Sequence, residues 1–403
     1  MKKVIFLLLL IPLFITQDCK KIENNQEIIN LNANETYSSD DYKSAYEYLY
    51  EATKELLNGI DFSAIESEFS GFEFLEGEDV KSKVLSLITG DYQVSPSTFL
   101  SALFSDLLGG FNDFYGYFAL IVAVALLSSL IDAIKPSFMD KTLVNLTNMV
   151  CMAVVIGVIS GLFGSVYQSI INATEKIERQ SDAIFPILLT LMTASGANVS
   201  ASIFKPQVAF LAKGMTIVVK NLLLPIILLL FVFNAISGLS TRYNFDKGKQ
   251  FLKSTFKWIT GFTVVIFNFF VTAQGLSASI YDGISVKALK YALSNAIPFV
   301  GGLVTSGFDT VMASMILIKN AVGGFALLAV LFTVIAPIIK LAVFSVFLRF
   351  SSAVIEPFSD KRLSGFLSSV ADGLGYLTAV SAVSASSYFL TLLLIICSVG
   401  GGG

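Results

Sequence analysis

Apolar and polar positions follow two rhythms along this chain. Between residues 39 and 110 apolar residues recur three and four apart among charged ones, the pattern of helices with one buried face. Tyr42, Tyr46, Leu49, Thr53 and Leu56 form one such stripe, which Gly59 ends. Asp79 stands as an N-cap before a second stripe of Val80, Val84 and Leu87, with Gly90 after it. Ser95-Pro96 opens a third, with Phe99, Leu100, Leu103, Phe104 and Leu107, and Gly109-Gly110 ends it. From residue 114 onward the chain is apolar on every side, in blocks long enough to cross a hydrocarbon core of ~30 Å. Spans are expected at 114–134, 144–167, 222–239 and 255–273, in a long block that ends at 348, and at 374–397. Two polar pieces interrupt them. Residues 172–183 carry Glu175, Lys176, Glu178, Arg179 and Asp182 and read as an interfacial helix. Residues 285–296, with Lys287 and Lys290, read as a short amphipathic segment.

Two apolar pieces are too short to cross. One starts at Phe185-Pro186 and reaches a run of small and polar residues, Ser195-Gly196-Ala197-Asn198, before a returning arm over 199–219. The other, Ile297-Pro298-Phe299-Val300-Gly301-Gly302, leads to Ser306-Gly307-Phe308-Asp309 and a returning arm over 309–324. Irregular backbone is not tolerated against lipid, so each apex is expected inside protein or along a wet cavity.

The second arm echoes the first, and other features recur in the same order. Gly161-Leu162 with Ser165-Val166-Tyr167 matches Gly275-Leu276 with Ser279-Ile280-Tyr281. Pro225 matches Pro337, and Asp246-Lys247 matches Asp360-Lys361. These matches predict an internal duplication. Arg242, Lys247, Lys249, Lys253 and Lys257 mark one cytoplasmic loop, and Arg349, Lys361 and Arg362 mark another. Both loops on one side make the repeat parallel. The expected organisation is a signal peptide over 1–17 and an extracytoplasmic helical region over 18–113. A first span and turn follow at 114–142, then repeat 1 over 143–262 and repeat 2 over 263–376. The end of the last span and a glycine tail occupy 377–403.

Composition agrees with a polytopic all-α membrane protein. Hydrophobic residues make up 54% of the 403 and charged residues 14%, against about 25% charged in soluble domains. Acids outnumber bases in residues 18–113, and bases outnumber acids after them. An acidic extracytoplasmic region ahead of a body with a basic cytoplasmic rim is expected. There is no histidine, which removes the commonest general base and metal ligand. Cys19, Cys151 and Cys397 are far apart, so neither a zinc site nor a disulfide framework is expected, and the last two read as apolar filler.

Candidate chemistry is sparse. Ser195, Gly196 and Asn198 at one apex and Ser306, Gly307 and Asp309 at the other resemble the broken-helix ligand sites of transporters. The competing reading is close packing of helices through small residues. Ionisable residues within apolar stretches are Lys213, Lys220, Lys319 and Lys340, with Asp132 and Glu356 nearer span ends. Lys340, well inside its block, is the prime intramembrane charge, and snorkelling or a pair with Glu356 is its alternative explanation. No nucleophile–base pair, Walker A or Rossmann glycine pattern occurs, so no enzyme, cofactor, metal or nucleic-acid partner is expected.

Three stretches carry a family resemblance: Phe185 through Gly196 with Ser200-Ala201-Ser202, Ala273 through Ser285, and Leu317-Ile318-Lys319-Asn320-Ala321-Val322-Gly323. With them the chain resembles stage III sporulation protein AE of endospore-forming bacteria. The resemblance implies a membrane component of a secretion-like channel complex, its permease-like element if the paired arms line a conduit, with other subunits of that complex as partners and a YidC-type insertase in biogenesis. It implies the mother-cell (outer forespore) membrane, with the outer side facing the intermembrane space, and support of forespore development after engulfment. It implies no catalytic residues. The alternative is an independent transporter of a small solute or ion, with its site between the paired arms.

Overall fold

The computed structural model describes residues 39–69, 79–90, 115–130, 141–239, 245–296, 301–357 and 361–397. The signal peptide, the third N-terminal stripe, Asp132 and the glycine tail lie outside them. Among the described residues every regular element is helical. The N-terminal region gives α1 (Ser39–Asn58), α2 (Ser63–Phe69) and α3 (Val80–Thr89). Gly59 turns the chain after α1, donating its N–H to the Leu56 carbonyl at 3.1 Å. Gly90 ends α3 at φ 77°, in the left-handed region that glycine enters without steric cost. Asp61 accepts the Ser63 N–H at 2.9 Å, starting α2, and that bond holds its carboxyl below the usual range.

Glu66 and Asp79 tie α2 to α3. A hydrogen bond to the Asp79 carboxyl, with burial second, raises the Glu66 carboxyl above its usual range. A raised folded value means that the bond's contribution is full below the unfolded carboxyl range and is lost as pH rises through the folded one. Hydrogen exchange over α2, corrected for intrinsic rate, should therefore show less protection at neutral than at mildly acidic pH. Glu66→Gln should remove that dependence.

The body consists of α4 (Tyr115–Leu130), α5 (Lys141–Ala194) and α6 (Asn198–Val218), a π turn (Val219–Leu223), and α7 (Leu224–Leu239). It continues with α8 (Asp246–Ala296), α9 (Gly301–Ile355) and α10 (Lys361–Cys397). Among the described residues four helical segments, in α5, in α6–α7, in α9 and in α10, are long and apolar enough to cross a membrane. The chain is a polytopic all-α protein of membrane character.

The expected pieces are fused. The span at 144–167, the polar piece at 172–183 and the short arm after Phe185 are one helix of 54 residues, about 81 Å long. The polar piece contains no glycine or proline, so its charges change what the helix faces without ending it. Pro186 sits inside α5, where it removes one backbone hydrogen bond but not the helix. Likewise the span at 255–273 and the amphipathic piece at 285–296 are both α8. The second short arm is corrected most. Residues 297–300 lie outside the described ones, and α9 runs unbroken through Ser306-Gly307 and the block that ends at 348. Ser306-Gly307 is therefore no helix break, whereas Ser195-Gly196 is one.

Two buried apolar clusters stack along these long helices. The inner one joins α4, the first half of α5, α7, the later part of α9 and the earlier part of α10, and includes the fully buried Ile159, Leu224, Phe344 and Leu374. The outer one joins α1–α3 to the second half of α5, the start of α6, the middle of α9 and the end of α10. Its ring pair Phe69–Phe325, 5.3 Å between centroids, fixes α2 on α9. A polar layer lies between the clusters. Gln180 and Thr333 bond at 3.0 Å, Lys220 pairs with Glu175, and Thr216 and Tyr388 oxygens are 3.3 Å apart. Cys397 is disulfide-bonded, so apolar filler does not describe it.

Candidate functional site

The first apex is a tight helix end. The Ala197 N–H reaches the Met192 carbonyl at 2.9 Å, and the Gly196 N–H reaches Thr193 at 3.1 Å. This crossed pair is a Schellman motif, with Gly196 at φ 86° in the left-handed position. Ser195 is buried and donates its hydroxyl to the Met192 carbonyl at 2.9 Å. α6 then starts at once, with Asn198 exposed.

Two free amides at the start of α6 are taken by a residue from α8. Asp282 accepts the Val199 N–H at 2.8 Å through one carboxylate oxygen and the Ser200 N–H at 3.1 Å through the other. It is buried, and its charge faces the positive end of the helix. One turn on, Val286 packs against Gly196, as does Met312 of α9. A Cβ on Gly196 would fall 2.8 Å from Val286 and 3.0 Å from Met312, so only glycine allows this approach. Asp309, one turn before Met312, is exposed and pairs with Lys290 of α8 at 2.7 Å.

The structure thus brings α9 near Asp309 against the apex that holds Ser195, Gly196 and Asn198. It does not build a ligand cradle from them. Two of the first-turn α6 amides are occupied, Asn198 and Asp309 face outward, and Ser306 and Gly307 are exposed on a continuous helix. Sequence reasoning missed Asp282. The signal was available, since an acid inside an apolar helix is a functional suspect by default.

The charged residues expected within apolar stretches also separate. Lys340 is half-buried on α9, with no ion-pair partner among the described residues, and Glu356 is exposed. Lys213 is exposed. Lys319 is fully buried, and its Nζ donates to the Ile395 carbonyl at 3.0 Å and the Ile396 carbonyl at 2.8 Å. These carbonyls belong to the last turn of α10, which has no intrahelical donors for them. A Cβ on Gly323, one turn after Lys319, would overlap Ile396. Lys319 and Gly323 therefore form one seat: the lysine caps the end of α10, and the glycine lets it come close.

Phe185–Gly196 ends in the Schellman turn, Ala273–Ser285 supplies Asp282, and Leu317–Gly323 supplies the seat of α10. All three stretches that carry the resemblance now have a structural role. The Stage III sporulation protein AE family matches residues 78–400. The chain belongs to that family. It is also similar to Stage III sporulation protein AE of Bacillus subtilis (strain 168), at 26% identity over 386 residues, covering 93% of this chain and 94% of the relative. No solved structure matches. The family match spans α3 to α10 and includes both the apex and the α10 seat.

Proposed function

We propose that this chain is an integral membrane subunit of a mother-cell-to-forespore channel complex, needed for forespore development after engulfment. The family match over residues 78–400 carries this reading, supported by the four apolar segments. Its partners are other subunits of that complex, with a YidC-type insertase in biogenesis and lipid around the spans. It resides in the mother-cell (outer forespore) membrane with its N-terminal region extracytoplasmic, follows a signal peptide, and has a duplicated body. It is no enzyme. The test is deletion and complementation in a sporulating cell, with capture of the tagged chain after engulfment. Loss of late forespore development on deletion, and co-capture of channel subunits, are expected. A chain captured alone, from cells whose spores mature without it, would overturn the reading and favour an independent transporter.

Within the complex the geometry favours a scaffold over a permease-like element. At the first apex a carboxylate takes two of the helix-end amides, and Gly196 serves close packing. The double variant Asn198→Ala/Asp309→Ala should therefore assemble and sporulate like the parent chain. Lost sporulation with assembly intact would instead restore a conduit between the two stretches.

A further inference from the structure

The helices of the body are about twice as long as a membrane is thick. At 1.5 Å per residue, the 54 residues of α5 and the 55 of α9 each extend about 80 Å, against a hydrocarbon core of ~30 Å. Either the helices lie steeply tilted, with lipid along their whole length, or part of each stands outside.

Surface chemistry distinguishes these two arrangements. On the inner half the outward residues are large and apolar: Val150 on α5, Val232 on α7, Val265 and Phe269 on α8, and Val346 on α9. Such helices are apolar on all sides, as lipid requires. On the outer half the outward residues change. α5 shows Asn172, Arg179, Asp182, Thr190 and Thr193, and α6 shows Asn198, Ser202, Lys205 and Lys213. α9 shows Ser306, Asp309 and Asn320 in the same region. Apolar residues of this half such as Ile184, Leu188, Phe204 and Val322 turn inward, and the large exposed ones on α6 and α9 include Ile217, near the polar layer, and Val311. An apolar inside with a polar outside is the pattern of a helical bundle in water.

The N-terminal helices supply an independent marker. α1 exposes Glu51 and Glu55, so it cannot lie in hydrocarbon. Yet α1–α3 dock on the outer half: Phe69 packs its ring tilted against Phe325, and Glu68 accepts the Arg179 Nε–H at 3.1 Å. The level of Arg179 and Phe325 is therefore already wet. From Arg179 to the apex α5 continues for another 15 residues, about 23 Å.

We infer that the outer halves of α5, α6 and α9, with the end of α10, form a water-facing head on the side of the N-terminal region. The polar layer of Glu175, Lys220, Gln180 and Thr333 marks its base. The first apex then stands well above the membrane surface, not within the bilayer. This assignment needs only that the chain be in a membrane, and it holds or fails apart from the channel role.

The test is single-cysteine labelling of the full-length chain in protoplasts with a membrane-impermeant maleimide, read as a gel shift above the parent chain. Thr190→Cys, Ser202→Cys and Asn320→Cys probe the head, Val150→Cys, Val232→Cys and Val265→Cys probe the inner half, and Glu51→Cys is the exposed reference. Each variant is first shown to complement, so that only folded chains are compared. The head sites should label as fully as Glu51→Cys, while the inner sites label only after detergent. Head sites that stay protected until detergent is added, while Glu51→Cys labels, would place them in lipid and overturn the inference.

Discussion

Replacing Lys319 with methionine is expected to loosen the end of α10 and lower stability by about 2 kcal/mol. The substitution keeps most of the aliphatic stem and removes both hydrogen bonds from Nζ to Ile395 and Ile396. Each buried acceptor left unsatisfied costs about 1–3 kcal/mol, and relief of a buried ammonium offsets part of it. Lys319→Ala should cost more, about 3–4 kcal/mol, because it also empties the channel of the stem. Lys340→Met, on the same helix but half-buried and without an ion-pair partner among the described residues, should change little. Thermal unfolding in detergent and the level of chain in membranes give the comparison. Equal behaviour of the Lys319 and Lys340 variants would contradict the capping role.

Asp282→Ala is the second large expected effect, a loss of about 2–3 kcal/mol. An ordinary N-cap is worth about 1 kcal/mol, and a partly buried charge at a helix end up to about 2. Asp282 supplies both, and it does so across elements, from α8 to α6. Its loss should therefore open the packing of Val286 and Met312 on Gly196 as well as fray the first turn of α6. Asp282→Asn, which keeps one acceptor and no charge, should fall between. Limited proteolysis near residues 196–205 reads this directly. Cleavage of Asp282→Ala no faster than the parent would show that the carboxylate is dispensable.

Much of this was legible in the sequence wherever local chemistry decides structure. Gly59 and Gly90 end their helices because backbone conformation acts within a few residues, whereas Asp79 stands at the N-cap position of α3 without making a side-chain cap bond. Of the six expected spans, those at 144–167 and 222–239, the block that ends at 348 and the one at 374–397 lie in the four membrane-length segments, while those at 114–134 and 255–273 are not among them. The continuity of α5 was not legible. Charges at 175–182 lower hydropathy without altering helix propensity, so a change of surroundings looked like a change of element. Ser306-Gly307 misled in the opposite direction. The pair matches Ser195-Gly196 in letters, but the first apex depends on Gly196 adopting φ 86° under the packing of Val286 and Met312. Lys319 and Lys340 look alike in sequence, and only the arrival of the end of α10 separates them. Asp282 was hidden similarly, since its partners lie more than eighty residues earlier in the chain.

The π turn at Val219–Leu223 works as a gear between the two halves of the body. A π turn holds one more residue than an α-helical turn, so every residue beyond it is rotated by about 100° around the axis. α6 and α7 continue one another in space but present different registers. Without the extra residue, the stripe that faces the outer cluster through Phe204 and Val208 would be out of phase with the stripe that faces the inner one through Leu224, Ile227 and Phe231. Deleting a single residue there would turn α7 on its axis while leaving its composition and its length across the bilayer almost unchanged.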